Sequence, residues 1–186
     1  MTKRILLGIT GSIGVINMPA YLMVLKNHFD DVHVVLSHTA QKFLPKETFL
    51  LFTPNIHTNL FESAQNGFNH VELAQSSDIF LILPASGNII GQAANGLASC
   101  MLSTIMLAYE NPLHFFPNMN QTMWNNKALQ RNVKTLQDDG HYFVRGEGGQ
   151  SITYATGKNE SKDHLPLPQQ IVKYINDELS LHAANV

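Results

Sequence analysis

The chain has 186 residues, 44% of them apolar and only 14% charged, with 12 basic and 14 acidic side chains giving a formal charge of −2. This length fits one domain, and without a block of Lys or Arg the electrostatic footprint of a nucleic-acid binder is missing. A charged share below the usual figure of roughly a quarter points to a surface partly covered by further copies of the chain.

A single cysteine, Cys100, excludes an intrachain disulfide framework and cannot supply a zinc cage, so no metal and a reducing cytoplasmic setting are expected. The start superficially resembles a signal peptide. Gly8, Thr10, Gly11, Ser12 and Gly14 interrupt its apolar run, however, so Ile5 to Ile9 reads as a buried first strand followed by a loop. Pro19 suits a first helical turn and Asn17 can cap it, which predicts a helix from about Asn17 to His28. Val32 to Leu36 is a second β-rich run, ending in Ser37-His38-Thr39 ahead of a short helix. Asp78 to Leu83 is the strongest strand signal, with Pro84 expected to halt it.

A helix from about Ala98 to Tyr109 follows, then a strand over Leu113 to Phe116 stopped by Pro117. A helix from Asn120 to Leu136 and a short strand at Tyr142 to Val144 come next. Over residues 146–168 glycines and prolines punctuate a polar stretch, expected to be a mobile excursion. Ile171, Ile175 and Leu179 then mark the buried face of a last helix. The apolar stretch from Ala98 to Tyr109 is far shorter than the roughly 20 residues of a membrane span, so no membrane partner is expected.

Alternating strands and helices predict a single α/β domain over 1–186, Rossmann-like or flavodoxin-like, with helices on both faces of a parallel sheet. Ligands of such sheets bind beyond the carboxyl ends of the strands. Gly8, Gly11 and Gly14 are three apart, which is neither the dinucleotide fingerprint nor a triphosphate loop. Ser12, Ser37 and Thr39, with loop amides, suit a phosphate, although each is also ordinary turn chemistry. Ala85, Ser86 and Gly87 are small enough to let a flat ring approach the backbone, with Asn88 supplying directed hydrogen bonds; a plain strand-to-helix turn reads the same way. The segment from Pro117 to Trp124 concentrates amides, thioethers and the one Trp, as either a capped helix with core side chains or a substrate wall. His70 is one of nine histidines, and spacing alone does not single it out as a base.

Four segments resemble the flavin-containing cysteine decarboxylases, and most closely the branch acting on C-terminal cysteines of lantibiotic-type precursor peptides. Pro84-Ala85-Ser86-Gly87-Asn88 is similar to the family's Pro-Ala-Ser-Ala-Asn-Thr, and Ala94-Asn95-Gly96 and Asn69-His70 recur in it. Pro117-Asn118-Met119-Asn120-Gln121-Thr122-Met123-Trp124 matches its Pro-x-Met-Asn-x-x-Met-Trp. Gly87 stands where the family usually has Ala, and Ile89 where it has Thr, which removes a hydroxyl from the expected flavin site.

The resemblance implies a flavin, with the mononucleotide (FMN) favoured over FAD, and trimers or dodecamers built from them with the flavin near a subunit boundary. It implies that Gly11, Ser12, Ser37 and Thr39 hold the ribityl phosphate end, while Ala85, Ser86 and Asn88 line the ring. His70 becomes the candidate base, Asn120 the group that binds or orients the peptide's terminal carboxylate, and Met123 with Trp124 the cavity wall. Tyr154-Ala155-Thr156-Gly157 resembles a family clamp over the peptide tail, within 146–168; Tyr154, Thr156 and Gly157 would touch the substrate.

The implied reaction is the oxidative decarboxylation of a precursor peptide's C-terminal cysteine to an aminoenethiol. A simple cysteine carbanion has no electron sink, so the flavin must first take a hydride from the β-carbon, leaving a thioaldehyde from which carbon dioxide departs. Related family members decarboxylate phosphopantothenoylcysteine in coenzyme A synthesis, a second enzymatic reading. A flavin-fold regulatory subunit without chemistry is the non-enzymatic one.

Overall fold

The computed structural model describes residues 2–60, 69–146, 151–152, 159–160 and 165–184. Six strands form one sheet: β1 (Arg4–Ile9), β2 (Asp31–Leu36), β3 (Ile56–His57), β4 (Ile79–Ala85), β5 (Leu113–Pro117) and β6 (Tyr142–Phe143). They lie in the order β3-β2-β1-β4-β5-β6, and every pairing is parallel. This is the expected α/β architecture, with the chain reversing its direction of travel across the sheet between β1 and β4. Two short strands, β7 (Ser151–Ile152) and β8 (Asn159–Glu160), pair antiparallel apart from it.

The strands alternate their apolar side chains between two cores, as a period of two requires. Ile5, Leu7 and Ile9, with Ile79, Leu81 and Leu83, enter the core shared with α1 (Met18–His28) and α8 (Pro168–Ala184). Leu6, Phe80 and Ile82 face the opposite core, built with α3 (His70–Gln75), α4 (Gly87–Ala94), α5 (Met101–Ala108) and α7 (Lys127–Asp138). At Gly8 a Cβ would stand 2.6 Å from Leu102 Cδ1, so the missing side chain lets α5 ride close over β1. Two short helices, α2 (Lys46–Leu50) and α6 (Gln121–Trp124), complete the described elements with 3-10 turns at Ile13–Asn17 and Ala40–Lys42.

Several sequence expectations need correction. Pro84 does not halt β4, which runs on to Ala85. The pairing with β5 shifts register between Ile82 and Ala85, so the missing N–H of Pro84 falls at an irregularity where the ladder is already interrupted. Pro117 is likewise the last residue of β5. The single helix expected from Asn120 to Leu136 is two, because Asn126 takes an extended backbone and caps α7 by accepting from Ala128 N at 2.9 Å. Asn17 stands before α1 but makes no side-chain cap; a 3-10 turn leads into that helix instead. The helix expected from Ala98 begins at Met101, where Cys100 and Ser103 form the cap.

Candidate active site at the carboxyl edge of the sheet

The carboxyl ends of β2, β1, β4 and β5 are sewn together side by side. Ser37 N donates to Ile9 O at 3.0 Å, tying β2 to β1. Thr10, 2% exposed, reaches across to β4: its N–H and its hydroxyl both donate to Pro84 O, the latter at 2.6 Å, and Oγ1 accepts from Ser86 N at 2.8 Å. Asn118 continues the seam from β5. Its N–H donates to Ala85 O at 3.0 Å, and its side-chain oxygen accepts from Ser12 Oγ at 2.9 Å and Gly14 N at 3.0 Å.

Of the residues expected near a flavin, this seam brings together Gly11, Ser12, Ser37, Thr39, Ala85 and Ser86. A Cβ on Gly11 would collide with the Thr39 side chain, so the first two loops touch only because that position is glycine. Ser37 Oγ accepts from Ala40 N at 3.1 Å and Ser86 Oγ from Ile89 N at 3.4 Å, which leaves both hydroxyl protons to donate outward. Ser86 therefore caps α4, and Asn88 stands exposed in its first turn. Ile89 is 2% exposed and packs in the core beneath α4.

Asn120 caps α6, its side-chain oxygen accepting from Met123 N at 2.8 Å, which orients the amide and leaves its nitrogen to donate. Met123 is 49% exposed, and its Cε lies 3.9 Å from where a Cβ on Gly87 would be, so α6 faces the small-residue turn after β4. Trp124 is half-buried, with the Arg145 guanidinium 4.5 Å from its ring centre. Burial holds the Arg145 pKa below its ordinary value.

His70 is the first residue of α3, behind the Asn69 cap, which accepts from Glu72 N at 2.8 Å. A helix that precedes a parallel strand runs against it, so α3 points its N-terminus toward the carboxyl edge. No hydrogen bond joins His70 to the seam among the described residues. Tyr154, Thr156 and Gly157 lie outside the described residues.

Sequence reading missed Thr10 and Asn118, the two residues that do the sewing, and Arg145. Asn118 lay inside a motif already singled out. Thr10 and Arg145 carry no signal in local spacing, since their partners are distant in the chain.

Among the described residues the donor set at this edge consists of the hydroxyls of Ser37, Thr39 and Ser86 with the amides of Asn88, Asn118 and Asn120, and it contains no carboxylate. Neutral donors of this kind fit a phosphate at one end and the carbonyl and ring-nitrogen edge of a flat heterocycle at the other. The cradle is the β1–β4 switch point, where open α/β sheets place such ligands.

The chain belongs to the flavoprotein family, whose description it matches over residues 1–180. It is 35% identical over 170 residues to the mersacidin decarboxylase of Bacillus sp. (strain HIL-Y85/54728), covering 90% of this chain and 86% of that protein. Its fold is similar to that of EpiD, a peptidyl-cysteine decarboxylase. The EpiD structure solved as a His-to-Asn variant complexed with substrate peptide DSYTC gives a TM-score of 0.83 at 28% identity, over 94% of this chain and 99% of that one. The FMN-dependent cysteine decarboxylase SpaF gives 0.80 at 26% identity, over 96% and 97%.

Proposed function

We propose that this chain is an FMN-dependent decarboxylase that acts on the C-terminal cysteine of a ribosomally made precursor peptide and leaves an aminoenethiol end. The observation that carries this reading is the seam: four strand ends joined into one cradle whose free donors are neutral hydroxyls and amides. Similarity to the mersacidin and epidermin-type enzymes supplies the substrate class.

Gly11, Ser37 and Thr39 hold the phosphate end of FMN, with Ser12 bracing their loop through its hydroxyl bond to Asn118, and Ala85, Ser86 and Asn88 border the ring. Bound FMN supplies the two-electron oxidation without which a cysteine carboxylate has no electron sink. The chain's own residues orient and deprotonate. Asn120, with its oxygen committed to Met123 N, presents N–H donors to the peptide's terminal carboxylate. Met123 and Trp124 wall the space beside it, and Tyr154, Thr156 and Gly157 belong to a clamp over the peptide tail. His70 takes the thiol proton.

The site lies near a subunit boundary. Val71, Leu97 and Leu107 are 39%, 54% and 63% exposed on or beside the adjoining helices α3 and α5, an apolar surface that a second copy covers in a trimer or dodecamer. No described helix is long and apolar enough to cross a membrane, and the enzyme works in the cytoplasm, where precursor peptides and reduced thiols are found.

The test is to incubate the purified yellow protein with synthetic peptides ending in Cys and, in parallel, with phosphopantothenoylcysteine. Loss of carbon dioxide and two hydrogens from the peptide alone is the expected result. Turnover of the small molecule alone would reassign the chain to coenzyme A synthesis, and turnover of neither would leave a flavin-binding subunit without this chemistry.

A further inference from the structure

We propose that Asn118 is the positioning residue that fixes the loop from Gly11 to Gly14 for flavin binding, acting through its amide oxygen. The inference rests on the FMN reading above. Asn118 is only 6% exposed, and its oxygen takes two protons from the same loop, the Ser12 hydroxyl at 2.9 Å and the Gly14 amide at 3.0 Å. Its amide nitrogen makes no hydrogen bond among the described residues, so the oxygen is the half in use.

Gly14 is part of the same device. A Cβ there would stand 2.9 Å from Asn118 Oδ1 and 3.2 Å from Cγ, and 2.9 Å from Leu165 Cδ1. Any side chain would push the acceptor away from the N–H it serves. The strut spans β4, because β1 and β5 are not neighbours in the sheet. It therefore sets the height of the β1 loop relative to the β5 segment that carries Asn120, the two sides between which a ligand at this edge must fit.

With the Ser12 proton directed at Asn118, the loop's remaining donors are the Gly11 and Ile13 amides, which make no hydrogen bond among the described residues. The strut holds those amides in place. Without it, the buried Gly14 amide and the half-buried Ser12 hydroxyl lose their acceptor and the loop relaxes to satisfy them.

The test uses the full chain and two measurements. Affinity for FMN is read by flavin fluorescence quenching in wild type, Ser12→Ala, Asn118→Ala and the double variant. Exchange of the Gly14 amide is followed by NMR without flavin. Asn118→Ala is expected to weaken FMN about tenfold, with the double variant no weaker than Asn118→Ala alone, because both changes break one strut. Multiplying losses would make the two residues independent contacts and overturn the proposal. Gly14 exchange is expected to quicken at least about tenfold in Asn118→Ala and to stay slow in Asn118→Asp, which keeps the acceptor oxygens. Equal exchange in wild type and Asn118→Ala, or fast exchange in Asn118→Asp, would also overturn it. The Asp variant carries the test if the Ala variant does not fold. A wild type that binds no FMN would sink the flavin reading, while the exchange data would still decide whether the strut exists.

Discussion

His33 Nδ1 lies 3.0 Å from His57 Nε2, the two rings stacked nearly parallel at 5.3 Å between centres, and both side chains are almost fully buried. His33 Nε2 lies 2.9 Å from Asp31 Oδ1, and Asp31 Oδ2 accepts from Arg4 Nε at 2.7 Å. Burial favours the neutral form of both imidazoles, so with the Nε2 proton of His33 donated to the carboxylate, His33 Nδ1 accepts and His57 donates from Nε2. This bond fastens the two-residue strand β3 to β2.

This arrangement sets a pH dependence. Burial pushes His57 down to about 4, helped by the positive charges of Lys46 and Arg4 and by repulsion from His33 whenever that ring is protonated, and burial likewise lowers His33 against the pull of Asp31. Between the ordinary histidine pKa of about 6.5 and the lowered value the unfolded chain binds more protons, so stability falls as pH falls through that window. His57 alone should contribute roughly 3 kcal/mol at pH 7 that is lost by about pH 4. Asp31 works in the same direction at lower pH: burial would raise it, but Arg4 and His33 hold it below its usual value. Urea midpoints measured from pH 7.5 down to 4.5 should decline steeply in wild type and much less in His57→Phe. Parallel slopes would show that the pair is not the titrating unit.

His70→Asn should leave the yellow colour and FMN affinity intact while abolishing peptide decarboxylation. The cap of α3 is formed by Asn69 and Glu72 N, and among the described residues no side-chain hydrogen bond of His70 holds the fold. Loss of a positioned base costs about a hundredfold or more in rate, easily read by mass spectrometry of the peptide. Wild-type turnover in this variant would remove His70 from the chemistry.

How much of this was readable in advance depended on how local the cause was. The runs at Ile5, Val32, Ile79 and Leu113 announce buried strands because both faces are apolar, and the structure has β1, β2, β4 and β5 there. Helix α4 was only one of two readings of the turn after β4: Pro84, Gly87 and Gly91 look like loop punctuation, yet the Ser86 cap and the contacts of Ile89 and Ile90 with the core make it helical. The break after Trp124 was hidden by Asn126, whose capping role shows only in its backbone angles. The side chains of Thr10 and Asn118 bind partners 74 to 106 residues away, a separation no local pattern encodes. The edge was foreseeable from the order of strands and helices, while the bonds that assemble it were not.

Asn120 can be separated from its structural duty. Asn120→Ala removes the α6 cap and should cost about 1 kcal/mol of stability along with activity. Asn120→Asp keeps an oxygen to accept from Met123 N, so thermal stability should match wild type. Decarboxylation should nevertheless collapse, because a carboxylate then faces the peptide's own carboxylate with no N–H to offer. An active Asp variant would place the peptide terminus elsewhere.

Gly87 and Gly11 should respond in opposite ways to the same methyl group. At Gly87 a Cβ would lie 3.8 Å from Leu129 Cδ1 and 3.9 Å from both Met119 Sδ and Met123 Cε, all ordinary contacts, in the first turn of α4. Gly87→Ala should therefore stabilise the chain by about 0.5–1 kcal/mol, chiefly by restricting the unfolded backbone. At Gly11 the same methyl strikes Thr39, so the β1 and β2 loops must part. Gly11→Ala should lower the melting temperature and weaken FMN, and the added substitution Thr39→Ala should recover part of both by clearing the collision. Melting curves with and without FMN on these three proteins decide the matter: equal behaviour of Gly87→Ala and Gly11→Ala, or no recovery in the double variant, would contradict the crowding at the first strand-end loop.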